Sequence, residues 1–182
     1  ALRFAKDDDA FLRRWTKEYT LTLKHDNAYE LAYLFGLLKK KQLSVNADKD
    51  LFFAISESKI KAIPVLLKYG ADCDARLGEK NRTALMEATE GGYVEAVRAL
   101  LKSKKCDLKL REIAEPTPTV TPQPTLAVQP PLLTAFGMAV RSRNSYVIEE
   151  FAKAGVSAHL AMIGDVDPIE WLLKKNFGDD RL

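Results

Sequence analysis

The sequence predicts an all-α solenoid of stacked helix-turn-helix units. The stretch 83–107 carries apolar residues at helical spacing on both sides of a turn at 90–93, so it reads as one unit. Residues 134–139 repeat the start of this stretch, and residues 167–172 repeat it again after one further period. Self-similarity at a fixed period is typical of repeat architectures, in which each unit buries its apolar faces against its neighbours.

The same repetition extends upstream. Five apolar residues precede five counterparts in the stretch 83–107, all by one constant interval: Leu51, Ala54, Ile63, Leu66 and Leu67 precede Leu85, Ala88, Val97, Leu100 and Leu101.

The start of each unit resembles a known repeat family. Residues 83–88, TALMEA, match the T-P-L-H-x-A pattern of ankyrin repeats at Thr83, Leu85 and Ala88, and the sequence DCD at 72–74 stands where that family usually has Asp-Val-Asn. The step from 134 to 167 equals the ankyrin period. The chain therefore resembles the ankyrin repeat family from about residue 48 to residue 182. The resemblance implies connections that project as β-hairpin-like finger loops, and a concave surface that binds other proteins.

We expect a single domain, because 182 residues at 47% hydrophobic composition can form one core. Its predicted divisions are a degenerate N-terminal repeat or cap at 1–47, repeats at 48–80 and 81–110, a Pro-rich insert at 111–131, a repeat at 132–164 and a C-terminal cap at 165–182.

The N-terminal division is predicted to hold two helices. Three aspartates at 7–9 precede apolar residues at helical spacing and indicate a helix start. Residues 19–23 alternate like a strand, so we expect this helix to end near Tyr19. Asn27 is the predicted N-cap of a second helix over 28–41. Trp15 and Trp171 are expected to cover the two ends of the stack.

In the next repeat Ser58 is the candidate N-cap of the second helix. Pro64 lies inside that helix and predicts either a late start or a kink. The helix is expected to end at Gly70. Asn81 stands where the family usually has Gly, and Asn tolerates the positive φ that a turn there requires.

The connection between the repeat that starts at Thr83 and the repeat that starts at Thr134 is longer than the other connections between repeats. Thr83 and Thr134 are separated by well over one repeat period, and the extra length includes 115–131, where the frequent prolines exclude a helix or a sheet ladder. The insert is either a solvated linker or a binding segment, in which case Leu126 and Val128 are the residues expected to order against a partner.

Two cysteines, Cys73 and Cys106, lie one repeat period apart in neighbouring repeats. Two cysteines supply no metal-ligand spacing, and the favoured interpretation is that they are small buried apolar residues. A disulfide clamp between the repeats is the alternative.

Lysines follow the apolar end of each second helix, although the net charge is only +3. Favourable interaction with the helix macrodipole, worth about 0.3–1 kcal/mol each, explains this placement. Stacking would also align the lysines into one basic ridge, and a polyanion such as nucleic acid or an acidic wall polymer is then an alternative partner.

The sequence contains no pattern that indicates catalysis. His25 and His159 have no partner at metal-ligand spacing, and Gly91-Gly92 follows a helix rather than a strand, so neither a metal site nor a nucleotide-binding loop is expected. We expect a chain that is not an enzyme and has no catalytic residue, metal or cofactor. No apolar run approaches the ~18 residues of a membrane span, and we expect a soluble protein. Its compartment stays open, with the periplasm favoured over the cytoplasm.

Carried over onto matching positions, the family resemblance implies two sets of partner-binding residues. The inner-helix and turn residues expected to face the concave surface, or groove, of the stack are Ser56, Glu57, Glu90, Tyr93, Arg141 and Arg143. The finger residues along its rim are Arg76, Leu77, Glu79, Lys80, Arg82, Met162 and Ile163.

The resemblance implies a protein-binding module that inhibits or scaffolds another protein, with a monomer expected when free. A narrower hypothesis is a bacterial inhibitor that protects its host from one of its own periplasmic peptidoglycan hydrolases, an endopeptidase or carboxypeptidase. The polyanion binder is the third hypothesis, and steep salt dependence would distinguish it from the other two.

Overall fold

The computed structural model describes residues 6–43, 45–113 and 132–161. Within these ranges it contains eight α-helices and one 3₁₀ helix, and the predicted all-α class is confirmed. The α-helices are α1 (Lys6–Lys24), α2 (Ala28–Lys40), α3 (Asp48–Ser56), α4 (Ala62–Lys68), α5 (Ala84–Glu90), α6 (Val94–Ser103), α7 (Ala135–Arg141) and α8 (Ser145–Lys153), and the 3₁₀ helix spans Ala158–Ala161.

Consecutive helices form pairs, and the pairs stack in two rows. Helices α3, α5 and α7 pack side by side and are called the inner helices; α2, α4, α6 and α8 pack in the same order and are called the outer helices. Helix α1 packs against α2 at the N-terminal end of the stack. Each middle pair therefore contacts the pair before it and the pair after it, as the repeat period predicts.

Side-chain caps fix where several of these helices begin. The hydroxyl of Thr83 accepts a hydrogen bond from the Met86 N–H at 3.4 Å, and the hydroxyl of Thr134 accepts one from the Gly137 N–H at 3.1 Å. Asn27 caps α2 as predicted, through the Glu30 N–H at 3.3 Å. Each cap satisfies one of the backbone donors that a helix start leaves unpaired.

Apolar residues of each pair meet between the rows and between successive pairs. Small residues such as Ala54, Ala84, Ala88 and Ala139 are fully buried on the inner helices, where they let neighbouring helices approach closely. Leucines from every unit fill the remaining space, and full burial of one such side chain contributes about 1.5–3 kcal/mol. Those buried most completely are Leu31, Leu51, Leu66, Leu67, Leu85, Leu100 and Leu133.

The prediction that the first helix ends near Tyr19 is wrong, because α1 continues to Lys24. Trp15, Tyr19, Thr22 and Leu23 are all buried on one helical face. The apparent strand alternation over 19–23 arises because two of its apolar positions, Tyr19 and Leu23, are also one helical turn apart. The hydroxyl of Thr20 donates to the Thr16 carbonyl at 2.8 Å, so this threonine is accommodated within the helix.

Buried polar contacts attach α1 to the stack. The Trp15 indole N–H donates to the Leu34 carbonyl at 2.8 Å, and the Tyr19 hydroxyl donates to the Asp50 carboxylate at 2.7 Å. Burial raises the pKa of Tyr19, and the hydrogen bond to Asp50 raises it further, so this phenol keeps its proton. Trp15 thus lies buried in the terminal unit, whereas Trp171 lies outside the described residues.

The structure also changes the predicted start of α4. Ser58 is not its N-cap: Ser58 has a φ of 54°, and Lys61 stands at the cap position. The Asp26 carboxylate from the preceding unit accepts hydrogen bonds from the N–H groups of Lys61 and Ala62 at 3.3 and 2.9 Å. Pro64 is the third residue of the shortened helix, so the predicted late start is confirmed.

Cys73 and Cys106 form a disulfide, with their Cα atoms 5.1 Å apart. The favoured interpretation of two free buried thiols is therefore wrong, and the alternative clamp is present. Stacking brings equivalent positions of adjacent repeats side by side, and that places residues 33 apart in sequence within bonding reach.

An ion pair between the exposed Arg98 and the buried Glu150 joins the last two described outer helices. The Arg98 guanidinium on α6 donates two hydrogen bonds, at 2.8 and 2.9 Å, to the carboxylate of Glu150 on α8, and Lys153 approaches the same carboxylate at 3.4 Å. The Arg98 contact lowers the pKa of Glu150 to about 2.

Loss of the disulfide is expected to destabilise the fold. Opening a cross-link between residues 33 apart returns chain entropy to the unfolded state, and we expect the Cys73→Ala/Cys106→Ala variant to lose about 3–4 kcal/mol of unfolding free energy. Urea unfolding with and without a thiol reductant measures it. The double variant is the control, since reductant must leave it unchanged. Equal midpoints for the oxidised protein and the variant would contradict the prediction.

Glu150 should make the stability depend on acid pH. Its pKa is depressed in the folded state, so its contribution is complete above the ordinary glutamate pKa of about 4.3 and is lost as the pH falls towards 2. We expect Glu150→Gln to cost about 2 kcal/mol near neutral pH and progressively less below pH 5. Glu149→Gln is the matched control, since this neighbour is exposed. Urea midpoints between pH 7 and pH 3 give the comparison; parallel profiles for Glu150→Gln and the unmodified protein would refute it.

Candidate functional site

Two finger loops project between the inner helices. In the second finger (71–82), Leu77 and Arg82 pair in antiparallel fashion through backbone hydrogen bonds of 3.0 and 3.1 Å. Gly78 and Asn81 in the turn have positive φ values of 75° and 48°, as expected for Asn81. The predicted β-hairpin-like geometry is therefore present in this finger.

The third finger consists of residues 105–113 and 132–134. Arg111 and Thr134 form an isolated antiparallel bridge, and the Glu112 N–H donates to the Leu133 carbonyl at 2.8 Å. The segment 114–131 joins the two arms beyond this bridge. Ile113 and Leu132, the described residues that flank the segment 114–131 in sequence, therefore both lie on the third finger.

Arg82 lies at the centre of a polar network between the two fingers. Arg82 is only 7% exposed, although arginine usually lies at the protein surface. One guanidinium nitrogen pairs with the Glu90 carboxylate at the end of α5, and the other pairs with Glu112 of the third finger at 2.8 Å. Burial makes this pairing necessary, because an uncompensated charge in such a place is costly.

The network continues to both sides. Lys80 of the second finger approaches the Glu90 carboxylate at 3.1 Å, and Arg141 at the end of α7 approaches Glu112 at 4.0 Å. Three cations and two carboxylates thereby connect the second finger, the third finger and the ends of two inner helices. We call this set, centred on Arg82, the Arg82 network.

Further bonds hold the two fingers together. The Arg76 guanidinium donates to the Arg111 carbonyl at 2.6 Å and to the Asn81 carbonyl at 3.1 Å. The Asp74 carboxylate accepts from the Asp107 N–H at 2.8 Å, next to the disulfide. Both charged and covalent contacts therefore fix the relative position of the fingers.

The predicted inner-helix residues lie at the C-terminal ends of the inner helices. Ser56 ends α3 and Glu57 caps it, Glu90 ends α5 and Arg141 ends α7. All four are exposed.

The predicted turn residues follow these helix ends. Arg143 is exposed in the α7–α8 turn, with a φ of 55°. Tyr93 is half-buried at the start of α6, with its ring against Gly91, where a Cβ would come within 2.2 Å of the ring.

The predicted finger residues divide by exposure. Glu79 and Lys80 are exposed at the tip of the second finger, Arg76 and Leu77 are half-buried, and Arg82 is buried within its network. Leu126, Val128, Met162 and Ile163 were also predicted as site residues, and all four lie outside the described residues.

The sequence interpretation missed four residues of this surface. Glu112 completes the Arg82 network, Ile113 and Leu132 are 49% and 39% exposed on the two arms of the third finger, and Phe53 is 37% exposed on α3. Ile113 and Leu132 had a signal in the sequence, because they flank the Pro-rich stretch on either side. Glu112 had none, since its partner Arg82 is 30 residues away.

Two features are absent from the part of the chain that the structure describes. There, no three His, Cys, Asp or Glu side chains are grouped so as to hold a metal ion. None of the described helices is both long and apolar enough to cross a membrane.

These features define the class of protein: a repeat protein of stacked helix pairs with finger loops. A family model described as ankyrin repeats (3 copies) matches residues 25–112, and this match together with the stacked helix pairs supports the ankyrin repeat family. Ankyrin repeats are in general protein–protein interaction modules, and the family is typically non-enzymatic.

Among solved structures, the chain is similar to the ankyrin repeat domain of Bcl-3, described as a unique member of the IkappaB protein family. The TM-score is 0.56 at 18% identity, covering 78% of this chain and 57% of that chain, so this chain spans less than two thirds of that domain's length. At this identity the likeness concerns the fold. No curated protein matches the chain.

Removal of the buried guanidinium should loosen the fingers. We expect Arg82→Met to lower the unfolding free energy by about 3 kcal/mol, because Glu112 and Glu90 would lose their buried partner. Lys80→Met is the matched control, expected within about 0.5 kcal/mol, since its ammonium is exposed. Urea unfolding compares the variants, and an equal effect of both would contradict the central role of Arg82.

Proposed function

We propose that this chain is a non-enzymatic protein-binding module that holds its partner with the fingers and the inner-helix ends, and that it inhibits or scaffolds that partner. The Arg82 network carries the proposal. It connects two fingers and two inner-helix ends through contacts within the chain itself, which supports a pre-organised surface. A pre-organised surface loses less conformational freedom on binding, and more of the contact energy becomes affinity.

The composition of this surface suits a folded protein. Arg143 and the half-buried Tyr93 are of the residue types that dominate binding energy at protein interfaces. Glu57 and Glu79 contribute exposed carboxylates, and Ile113 and Leu132 add apolar contact area on the third finger. A partner of mixed charge with an apolar patch facing the third finger would complement it.

The disulfide between Cys73 and Cys106 supports an oxidising compartment as the place where this binding occurs. Disulfides persist in oxidising environments such as the bacterial periplasm and are rare in the cytosol. It therefore favours the narrower function of a bacterial self-protection inhibitor that holds a periplasmic peptidoglycan hydrolase, an endopeptidase or carboxypeptidase. In that function the free protein would be a monomer, and its fingers would cover the hydrolase.

Affinity capture from the soluble fractions of the source cell, read by mass spectrometry, tests the proposal. The binding-side variant carries Glu57→Lys, Glu79→Lys and Arg143→Glu, all at exposed positions. The matched control carries Glu30→Lys, Glu149→Lys and Lys61→Glu, which are exposed on or next to outer helices and change the net charge equally.

We expect one folded protein to be retained by the unmodified chain and by the control, with at least a tenfold loss in the binding-side variant. A third variant that lacks residues 117–129 measures the contribution of the insert. Equal retention by all variants would place the contact elsewhere, and capture of no protein would refute the module.

A further inference from the structure

Lysines at the C-terminal ends of the outer helices form a continuous row on the side of the stack formed by those helices. Lys39, Lys68, Lys102 and Lys153 lie in the last turns of α2, α4, α6 and α8. Two further lysines follow α6. The set, called the lysine row, is Lys39, Lys68, Lys102, Lys104, Lys105 and Lys153, and all six are exposed.

The grooves between outer helices show that these lysines are neighbours in space. Lys39 and Lys68 line the groove between α2 and α4, and Lys68 also lines the groove between α4 and α6. Lys102 lines that second groove and the third one, between α6 and α8, which also contains Lys153. Because adjacent grooves share a lysine, the positive charge continues without a gap across three steps of the stack.

Carboxylates are scarce along this row. Among the described residues, Glu150 is the acidic side chain that lines these three grooves, and Arg98 and Lys153 already match its charge; Lys153 also pairs with Glu149 at 2.9 Å. Lys39, Lys68, Lys102 and Lys104 make no ion pair with any other described residue. The acidic residues of the described fingers lie instead in their loops, for example at Asp72 and Asp74.

Helix-end stabilisation explains part of the row. The Lys105 ammonium donates to the Leu67 carbonyl at the end of α4, and a cation at such a position is worth about 0.3–1 kcal/mol. One cation within the last turn gives this benefit. Lys104 lies beyond the end of α6 with its ammonium exposed, and Lys102 already occupies that last turn. The excess of unpaired charge requires a further explanation.

The chemistry of the row favours phosphate groups. Lysine is a compact point charge that binds phosphate without demanding a fixed orientation, whereas planar two-oxygen recognition uses arginine, and Arg98 is already bound to Glu150. Packed helices lie about 8–10 Å apart, so a row over four outer helices extends about 30 Å. A linear polyanion can follow a row of that length with one or two charges at each groove.

We propose that the lysine row binds a linear chain of phosphate groups through its backbone charge, without reading a sequence. This surface is separate from the fingers, and the proposal does not rest on the protein-binding function. The bound polymer would lie across the C-terminal ends of the outer helices and leave the inner-helix ends accessible.

Fluorescence anisotropy with two labelled probes tests the proposal: long-chain inorganic polyphosphate and a DNA duplex of about two helical turns. The row variant carries Lys68→Glu, Lys102→Glu and Lys104→Glu. The matched control carries Lys17→Glu, Lys49→Glu and Lys109→Glu, which lie off the row at exposed positions and change the net charge equally. Circular dichroism verifies folding, and a milder row variant with three glutamines replaces the first if it fails to fold.

We expect the row variant to bind at least tenfold more weakly than the unmodified protein, and the control to change less than about threefold. The slope of log affinity against log salt for DNA should fall by about 0.9 for each lysine that loses its phosphate contact. Preference for one probe identifies whether the phosphates are those of a nucleic acid. An equal loss in both variants, or absence of binding to either probe at low salt, would overturn the proposal.

Discussion

The structure depends on the sharing of apolar surface between consecutive helix pairs. A pair such as α5–α6 has one apolar face towards the preceding pair and one towards the next, and neither face is covered by the pair itself. Alanines on the inner helices let adjacent pairs approach closely, so the leucines between the pairs are buried. The positions of the fingers, the disulfide and the outer-helix grooves all follow from this one register.

The sequence allowed prediction of what is local or periodic. The match at constant interval between 51–67 and 85–101 placed α3 to α6, because residues at equal phase occupy equal sites in a stack. Asn27 was predicted as a cap because its side chain acts within the first turn of the helix. Asn81 was predictable because few side chains tolerate positive φ.

Contacts between units were not predictable in the same way. Ser58 has the residue type of a cap, but the actual carboxylate at the start of α4 comes from Asp26, one unit earlier. Arg82 and Glu112 carry no mutual signal, because either could pair with several charges until the stack fixes which one is adjacent. The two cysteines matched the repeat period, yet composition alone left their oxidation state open, and only the 5.1 Å approach of their Cα atoms decides it.

Each junction of the described stack combines apolar packing with at least one specific polar or covalent contact. Tyr19 reaches Asp50 at the first junction, the disulfide and the Asp74–Asp107 bond join the two fingers in the middle, and Arg98 reaches Glu150 at the last. Apolar packing alone specifies register weakly, since neighbouring leucines are interchangeable, whereas a misplaced carboxylate would be buried without a partner. These contacts therefore select a single register. That register aligns the fingers on one side and the lysines on the other, so the two proposed surfaces result from the same constraint.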